Sequence, residues 1–142
     1  MRIIVGLLLA CHGAQKLLGM FGGQGMATGL PLIAGIIELG GGFLIALGLF
    51  TRPSAFLASG LMAVAYFMVH ASGKAIGHAP TGAEMFFPLL NKGEPAVVYC
   101  FVFLYIFFRG GGLWSLDSLI FRDRALAADE VGGPARAGRD LS

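Results

Sequence analysis

The sequence predicts an all-α, integral membrane bundle of four transmembrane helices, followed by a short interfacial C-terminal helix and a disordered tail. Three observations predict it. Hydrophobic residues fill 56% of the 142 positions and charged residues only 13%, about half the charged fraction of a soluble domain. Four apolar runs approach or reach the length a helix needs to cross a hydrocarbon core of about 30 Å. The 23 glycines fall mostly within or beside those runs, where close backbone approach takes over from the hydrophobic drive that water supplies. A net charge of +2, without a basic patch interleaved with exposed aromatics, argues against a nucleic-acid partner and leaves membrane lipids as the expected surroundings.

The helices are expected at about 3–21, 30–50, 53–71 and 95–112. Together they make residues 1–121 one transmembrane domain and leave 122–142 as a cytoplasmic, largely disordered tail. The first run, Ile3 to about Phe21, is marginal because the chain starts so close to it. Leu8-Leu9-Ala10-Cys11 resembles a lipobox, but apolar character continues through Leu17 and Leu18, so an uncleaved helix is preferred. Gly22 to Gly29 is a Gly-rich turn. The second run is announced by Pro31 and the third by Pro53, after a tight Thr51-Arg52-Pro53 connection. Ser72 to Gly93 is a long loop whose Met85-Phe86-Phe87 suits a membrane surface. Glu94-Pro95 opens the last run, which is short and borrows Gly110 to Trp114 to complete its crossing. Beyond it, Leu116, Leu119 and Ile120 share a face of a short helix that also carries Arg122 and Arg124, an interfacial pattern.

Lys and Arg set the expected orientation. One side holds Arg2, Arg52, Arg109, Arg122, Arg124, Arg136 and Arg139, and the other holds Lys16, Lys74 and Lys92. Seven against three puts both termini in the cytoplasm of a multi-pass protein of a bacterial-type inner membrane.

Ionisable groups inside a span are costly, about 2.5–3.5 kcal/mol each, so each needs a partner or a cavity. Counting about 1.5 Å per residue places His12 near mid-membrane and Lys16 one turn further out. Glu38 then lies about 10 Å below the outer end of its helix, close to the depth of Lys16. Tyr66 and His70 fall in the outer half of the third helix, Tyr99 and Cys100 in the outer third of the fourth. The polar side chains of four helices thus converge on one layer, whereas the inner half offers little beyond Tyr105. His12 and Lys16, at i and i+4, share a face, with Gln15 adjacent. Glu38 is the only acid inside a span and can pair with Lys16, or accept from His12 or His70. Two readings follow. The cluster is internal glue that fixes helix register, or His12, Gln15, Lys16, Glu38, Tyr66, His70 and Tyr99 line an outward-facing pocket for a quinone headgroup, a small substrate or a proton. A metal or haem at His12, His70 and Cys100 lacks supporting spacing, and no cofactor motif is evident. A Cys11–Cys100 disulfide conflicts with the estimated depths. Gly22-Gly23-Gln24-Gly25 lacks a nucleotide loop's preceding strand. Small residues at Gly6/Ala10/Ala14 and Ala55/Ser59/Ala63 read as helix-contact faces, within the chain or against a neighbour.

Several segments resemble a known family. His12-Gly13-Ala14-Gln15-Lys16-Leu17-Leu18-Gly19 followed by Phe21-Gly22-Gly23-Gln24-Gly25 resembles the first signature of the DoxX family. Glu38 with Gly41-Gly42, the Gly48-Leu49-Phe50-Thr51-Arg52 exit, His70, Gly93-Glu94 and the closing Gly110-Gly111-Gly112-Leu113-Trp114-Ser115-Leu116-Asp117 continue the likeness over about residues 2–120. Gly111 stands where relatives often carry proline. The resemblance implies a small four-helix inner-membrane protein, an accessory subunit of a quinone-linked redox or oxidative-stress system rather than an enzyme by itself. It leaves open a non-catalytic structural subunit within a larger complex, or a homo-oligomer.

Overall fold

The computed structural model describes residues 1–23, 25 and 27–120, and these are helical and turn segments without a strand among them. The expected tail at 122–142, with Arg122 and Arg124 of the interfacial helix, lies outside the described residues. Helix α1 runs Arg2–Leu18, α2 Leu30–Leu47, α3 Thr51–His70, α4 Gly82–Phe86 and α5 Glu94–Arg109, with a 3-10 turn at Met20–Gly22 after α1. The last five residues of α3, Tyr66–His70, are wound as a π turn. Residues 116–120 are helical again.

Four sequence boundaries move, each for a local reason. α1 stops at Leu18 because Gly19 adopts the left-handed conformation, φ 68°. α2 stops at Leu47 because Gly48 does the same, φ 75°. The tight connection is therefore Gly48–Phe50, and Thr51-Arg52-Pro53 is already the first turn of α3, where the missing N–H of proline is harmless. Gly110 to Trp114 do not extend α5. Gly110 N–H closes on Ile106 O at 2.7 Å with φ 76°, and the chain then folds back over the end of the bundle.

The helices pack as two close pairs, α1 on α2 and α3 on α5, joined mainly through α2 and α3. The α1–α2 contact is backbone on backbone. A Cβ placed on Gly42 would lie 2.5 Å from Ala10 N and 2.6 Å from Gly6 O, and one on Gly13 would overlap Leu39 N. Only glycine fits at such a crossing. The stripe Gly6/Ala10/Ala14 is thus used inside the chain. Ala55 and Ser59 are likewise buried, with Ser59 Oγ donating to Cys100 O of α5 at 2.9 Å. Leu9, Ile45, Ala58, Met62, Phe103 and Ile106 complete a core to which all four long helices contribute.

Outward faces are apolar. Leu8, Ile36, Phe43, Phe56, Phe67 and Phe101 are all exposed. Leu30–Leu47 and Thr51–His70 are long and apolar enough to cross a membrane, with mean hydropathy 2.0 and 1.4, yet only 28% of each window is buried inside the protein. A helix that is apolar and mostly uncovered needs a non-aqueous environment. α1 and α5 are shorter, at 17 and 16 residues.

Candidate functional site

Lys16 Nζ donates to Glu38 Oε1 at 2.6 Å, joining α1 to α2. The pair is asymmetric. The Glu38 side chain is 4% exposed and that of Lys16 37%. Glu38 Oε2 is buried with no hydrogen-bond partner among the described residues. A buried acceptor without a donor costs about 1–3 kcal/mol, and more when charged. Such an oxygen calls for a partner from outside the chain, a water or a ligand.

The pair lines a cavity of about 380 Å³ together with His12 of α1, His70 of α3 and Tyr99 of α5, floored by Leu9 and Met62. His12 Nδ1 lies 2.9 Å from Leu8 O and His70 Nδ1 3.1 Å from Asn91 O. A carbonyl oxygen only accepts, so both rings carry a proton on Nδ1, and Nε2 is the acceptor of the neutral ring. The His12 ring meets Tyr99 edge-on, centroids 6.3 Å apart. His70 reaches the cavity from the π turn, which closes with Ala71 N–H on Tyr66 O at 2.9 Å. Nothing in the composition of Tyr66–His70 announces that widened turn, a feature often found at functional sites.

Two sequence assignments need correction. Gln15 does not line the cavity; its main chain and side chain pack beneath Gly23 in the turn after α1. Tyr66 does not line it either. Its ring rests on Gly93, its hydroxyl takes a hydrogen bond from Asn91 Nδ2 at 3.3 Å, and it borders a separate apolar groove with Phe67, Cys100 and Phe101. Both residues face another way around their helices. Two residues were missed. Lys92, in a left-handed conformation with φ 58°, brings a second cation to the cavity. Asn91, 0% exposed, holds the loop in place by donating to Glu84 O at 2.9 Å and accepting from Gly93 N–H at 2.9 Å. That last bond is an Asx turn, and Asn91-Lys92-Gly93 before the Glu94-Pro95 helix start was its legible signal.

The loop above the cavity carries α4. Glu84 Oε2 accepts from the N–H and the hydroxyl of Thr81 at 2.8 and 2.9 Å, and His78 Nε2 lies 3.2 Å from Oε1. The Thr81 backbone bond, then its hydroxyl and His78, hold the Glu84 carboxyl below its ordinary range.

At the far end of the bundle, Arg2 Nη1 donates to Ile45 O and Ala46 O at 2.7 and 2.9 Å, covering the C-terminus of α2, and Nη2 donates to Trp114 O at 2.6 Å. Asp117 accepts from Phe50 N–H and Thr51 N–H, both at 2.8 Å, covering the N-terminus of α3. Partial burial works to raise the Asp117 pKa, but the Thr51 and Phe50 amides and Arg2 outweigh it and hold the group below its ordinary range.

The DoxX family model matches residues 1–71, which takes in α1, α2, all of α3, Lys16, Glu38 and both cavity histidines. The chain belongs to the DoxX family. The match is narrower than the 2–120 span the motifs covered, and Lys92 and Tyr99 lie beyond it. A protein of Haemophilus influenzae (strain ATCC 51907 / DSM 11121 / KW20 / Rd), described as an uncharacterized protein, is 43% identical over 128 residues, covering 86% of this DoxX chain and 89% of its own. No solved structure matches.

Proposed function

We propose that this DoxX-family membrane protein spans an inner membrane four times and binds a quinone headgroup in the Lys16–Glu38 cavity, as the membrane subunit of a quinone-linked redox system. The observation that carries the reading is the buried, unpartnered Oε2 of Glu38, a residue that lines a cavity together with Lys16, His12 and His70. A cavity of about 380 Å³ is of ligand size, and the typical pocket is an apolar wall with a few convergent polar groups. A quinone would supply electron carriage. The chain's own groups would place its oxygens, with Lys16 donating to them and the Glu38 carboxylate accepting from a hydroxyl of the reduced form. Four spans are supported by the apolar outward faces of α1 and α5 as well as α2 and α3. Arg2, Arg52 and Arg109 at the far end, against Lys16, Lys74 and Lys92 around the cavity end, support cytoplasmic termini and an outward-facing cavity.

The test is binding of a short-tailed benzoquinone to the purified full-length chain in nanodiscs. Glu38→Gln should abolish binding while insertion and thermal stability persist; binding that survives unchanged removes Glu38 from the site. The second reading, a non-catalytic structural subunit, is favoured by one observation, that the Lys16–Glu38 pair ties α1 to α2. It predicts that Glu38→Gln weakens the fold or a co-purifying complex and that no ligand binds.

A further inference from the structure

The acceptors and donors in the cavity are not balanced, and the imbalance has a chemical preference. Glu38 Oε2 is an acceptor with no donor. His12 and His70 both commit Nδ1–H to main-chain carbonyls, at 2.9 and 3.1 Å. That leaves Nε2 of each as a second and third acceptor, and neither has a partner among the described residues. The donors are Lys16, whose ammonium already gives one hydrogen to Glu38 Oε1, Lys92, and the hydroxyl of Tyr99, which can also accept. A carbonyl oxygen entering this site can accept from the lysines or Tyr99 but gives no hydrogen to any of the three acceptors. A hydroxyl oxygen both donates and accepts, so it can take a hydrogen bond from lysine and give one to Glu38 Oε2 or a histidine.

The cavity also has a side. α1 packs on α2 and α5 on α3, and no comparable interface forms between α1 and α5. Exposed His12 and half-buried Tyr99 stand across that gap, rings 6.3 Å apart, and both line the cavity. On the α1 side of the gap the exterior is apolar, with Leu8, one turn from His12, exposed. A ligand arriving there comes from the lipid.

We infer that the cavity selects a membrane-dissolved amphiphile with a hydroxyl-donating ring, entering between α1 and α5, in preference to the corresponding carbonyl compound. Resting on the reading of the cavity as a quinone-type site, this assigns it the reduced, dihydroxy form as the bound partner. His12 and His70 then act as acceptors for the ring hydroxyls beside Glu38.

The experiment measures affinities by calorimetry on the full chain in phospholipid nanodiscs. The probes are a tailed benzoquinone, its hydroquinone, the bis-methyl ether of that hydroquinone, and hydroquinone without a tail. The tailed hydroquinone should bind about tenfold or more tighter than the quinone, since one otherwise unpaired buried acceptor is satisfied. The bis-methyl ether keeps ring and tail but has no donors, and should fall back to the quinone's level. Tailless hydroquinone should bind more weakly than the tailed form; equal binding would overturn entry from the lipid. His12→Phe, at an exposed position where the ring contact to Tyr99 is kept, should lower affinity for the hydroquinone alone. If quinone and hydroquinone bind equally, the hydroxyl preference is overturned and the cavity remains a quinone site. If no probe binds, the quinone reading fails and this inference fails with it.

Discussion

At the Arg2 end, a guanidinium and a carboxylate sit among main-chain groups that match them: three carbonyls receive Arg2 and two amides serve Asp117. At the Lys16 end, an ammonium and a carboxylate have chiefly each other, and one carboxylate oxygen, on a residue that lines the cavity, is buried with nothing to accept from. The far end does leave one polar atom, Thr51 Oγ1, without a partner of good geometry, but it is a neutral hydroxyl. Both ends carry an acid and a base from different segments. They differ in whether the backbone completes the set. Charge closed by helix termini is a fastening, because the orphan amides and carbonyls of helix ends are where such groups gain most. Charge left open inside an apolar wall is a liability to the fold unless something binds there.

Variants can break this contrast. The largest effect is expected from Lys16→Ala, which strands a 4% exposed carboxylate. Removing one partner of a buried pair costs about 3–5 kcal/mol, and the partial exposure of Lys16 reduces that to roughly 2–3. Thermal melting in detergent measures it, and a loss no larger than that of Glu38→Gln would show that the two partners are equally dispensable. Next comes Asp117→Ala, which uncovers the start of α3 and should lower stability by about 1–2 kcal/mol while leaving cavity affinity unchanged. Its pH signature has a definite sign. The folded Asp117 carboxyl titrates below its ordinary value, so its contribution is full above that value and fades as pH falls through and below the carboxylate range. Melting curves of wild type and Asp117→Ala should therefore converge at acid pH; curves that stay parallel would mean the carboxylate charge does not hold this end together. The smallest effect belongs to Glu84→Gln on the exposed loop. It should loosen only α4, seen as faster amide exchange at 81–86 with no change in the melting of the bundle.

The same contrast separates what the sequence made legible from what it hid. Hydropathy and helix rise fix depth, so Lys16 and Glu38 could be matched from single residues without any knowledge of packing. Their contact follows from depth plus a shared need for a partner. Rotation about each helix axis follows from packing, and it is what turns Gln15 under Gly23 and Tyr66 onto Gly93. The far end was read only as a count of positive charges. Asp117 lies 66 residues from the Thr51 amide it covers, and no local pattern encodes a chain that folds back across a bundle. Asn91 stands between these cases: its Asx turn is local, but its burial depends on Tyr66 and Glu84 arriving from elsewhere.

The π turn in α3 has a consequence for how tolerant this region is to change in length. A π turn holds one residue more than the α-helical path needs. Deleting a single residue within Tyr66–His70 would convert the wide turn into an ordinary α turn and leave the chain after it close to its present orientation, whereas the same deletion earlier in α3 would rotate everything after it by about 100°. Ala55, Ala58 and Met62, which precede the turn, would keep their places in the core. The wide turn is thus the place in α3 where a one-residue change in length is most easily absorbed.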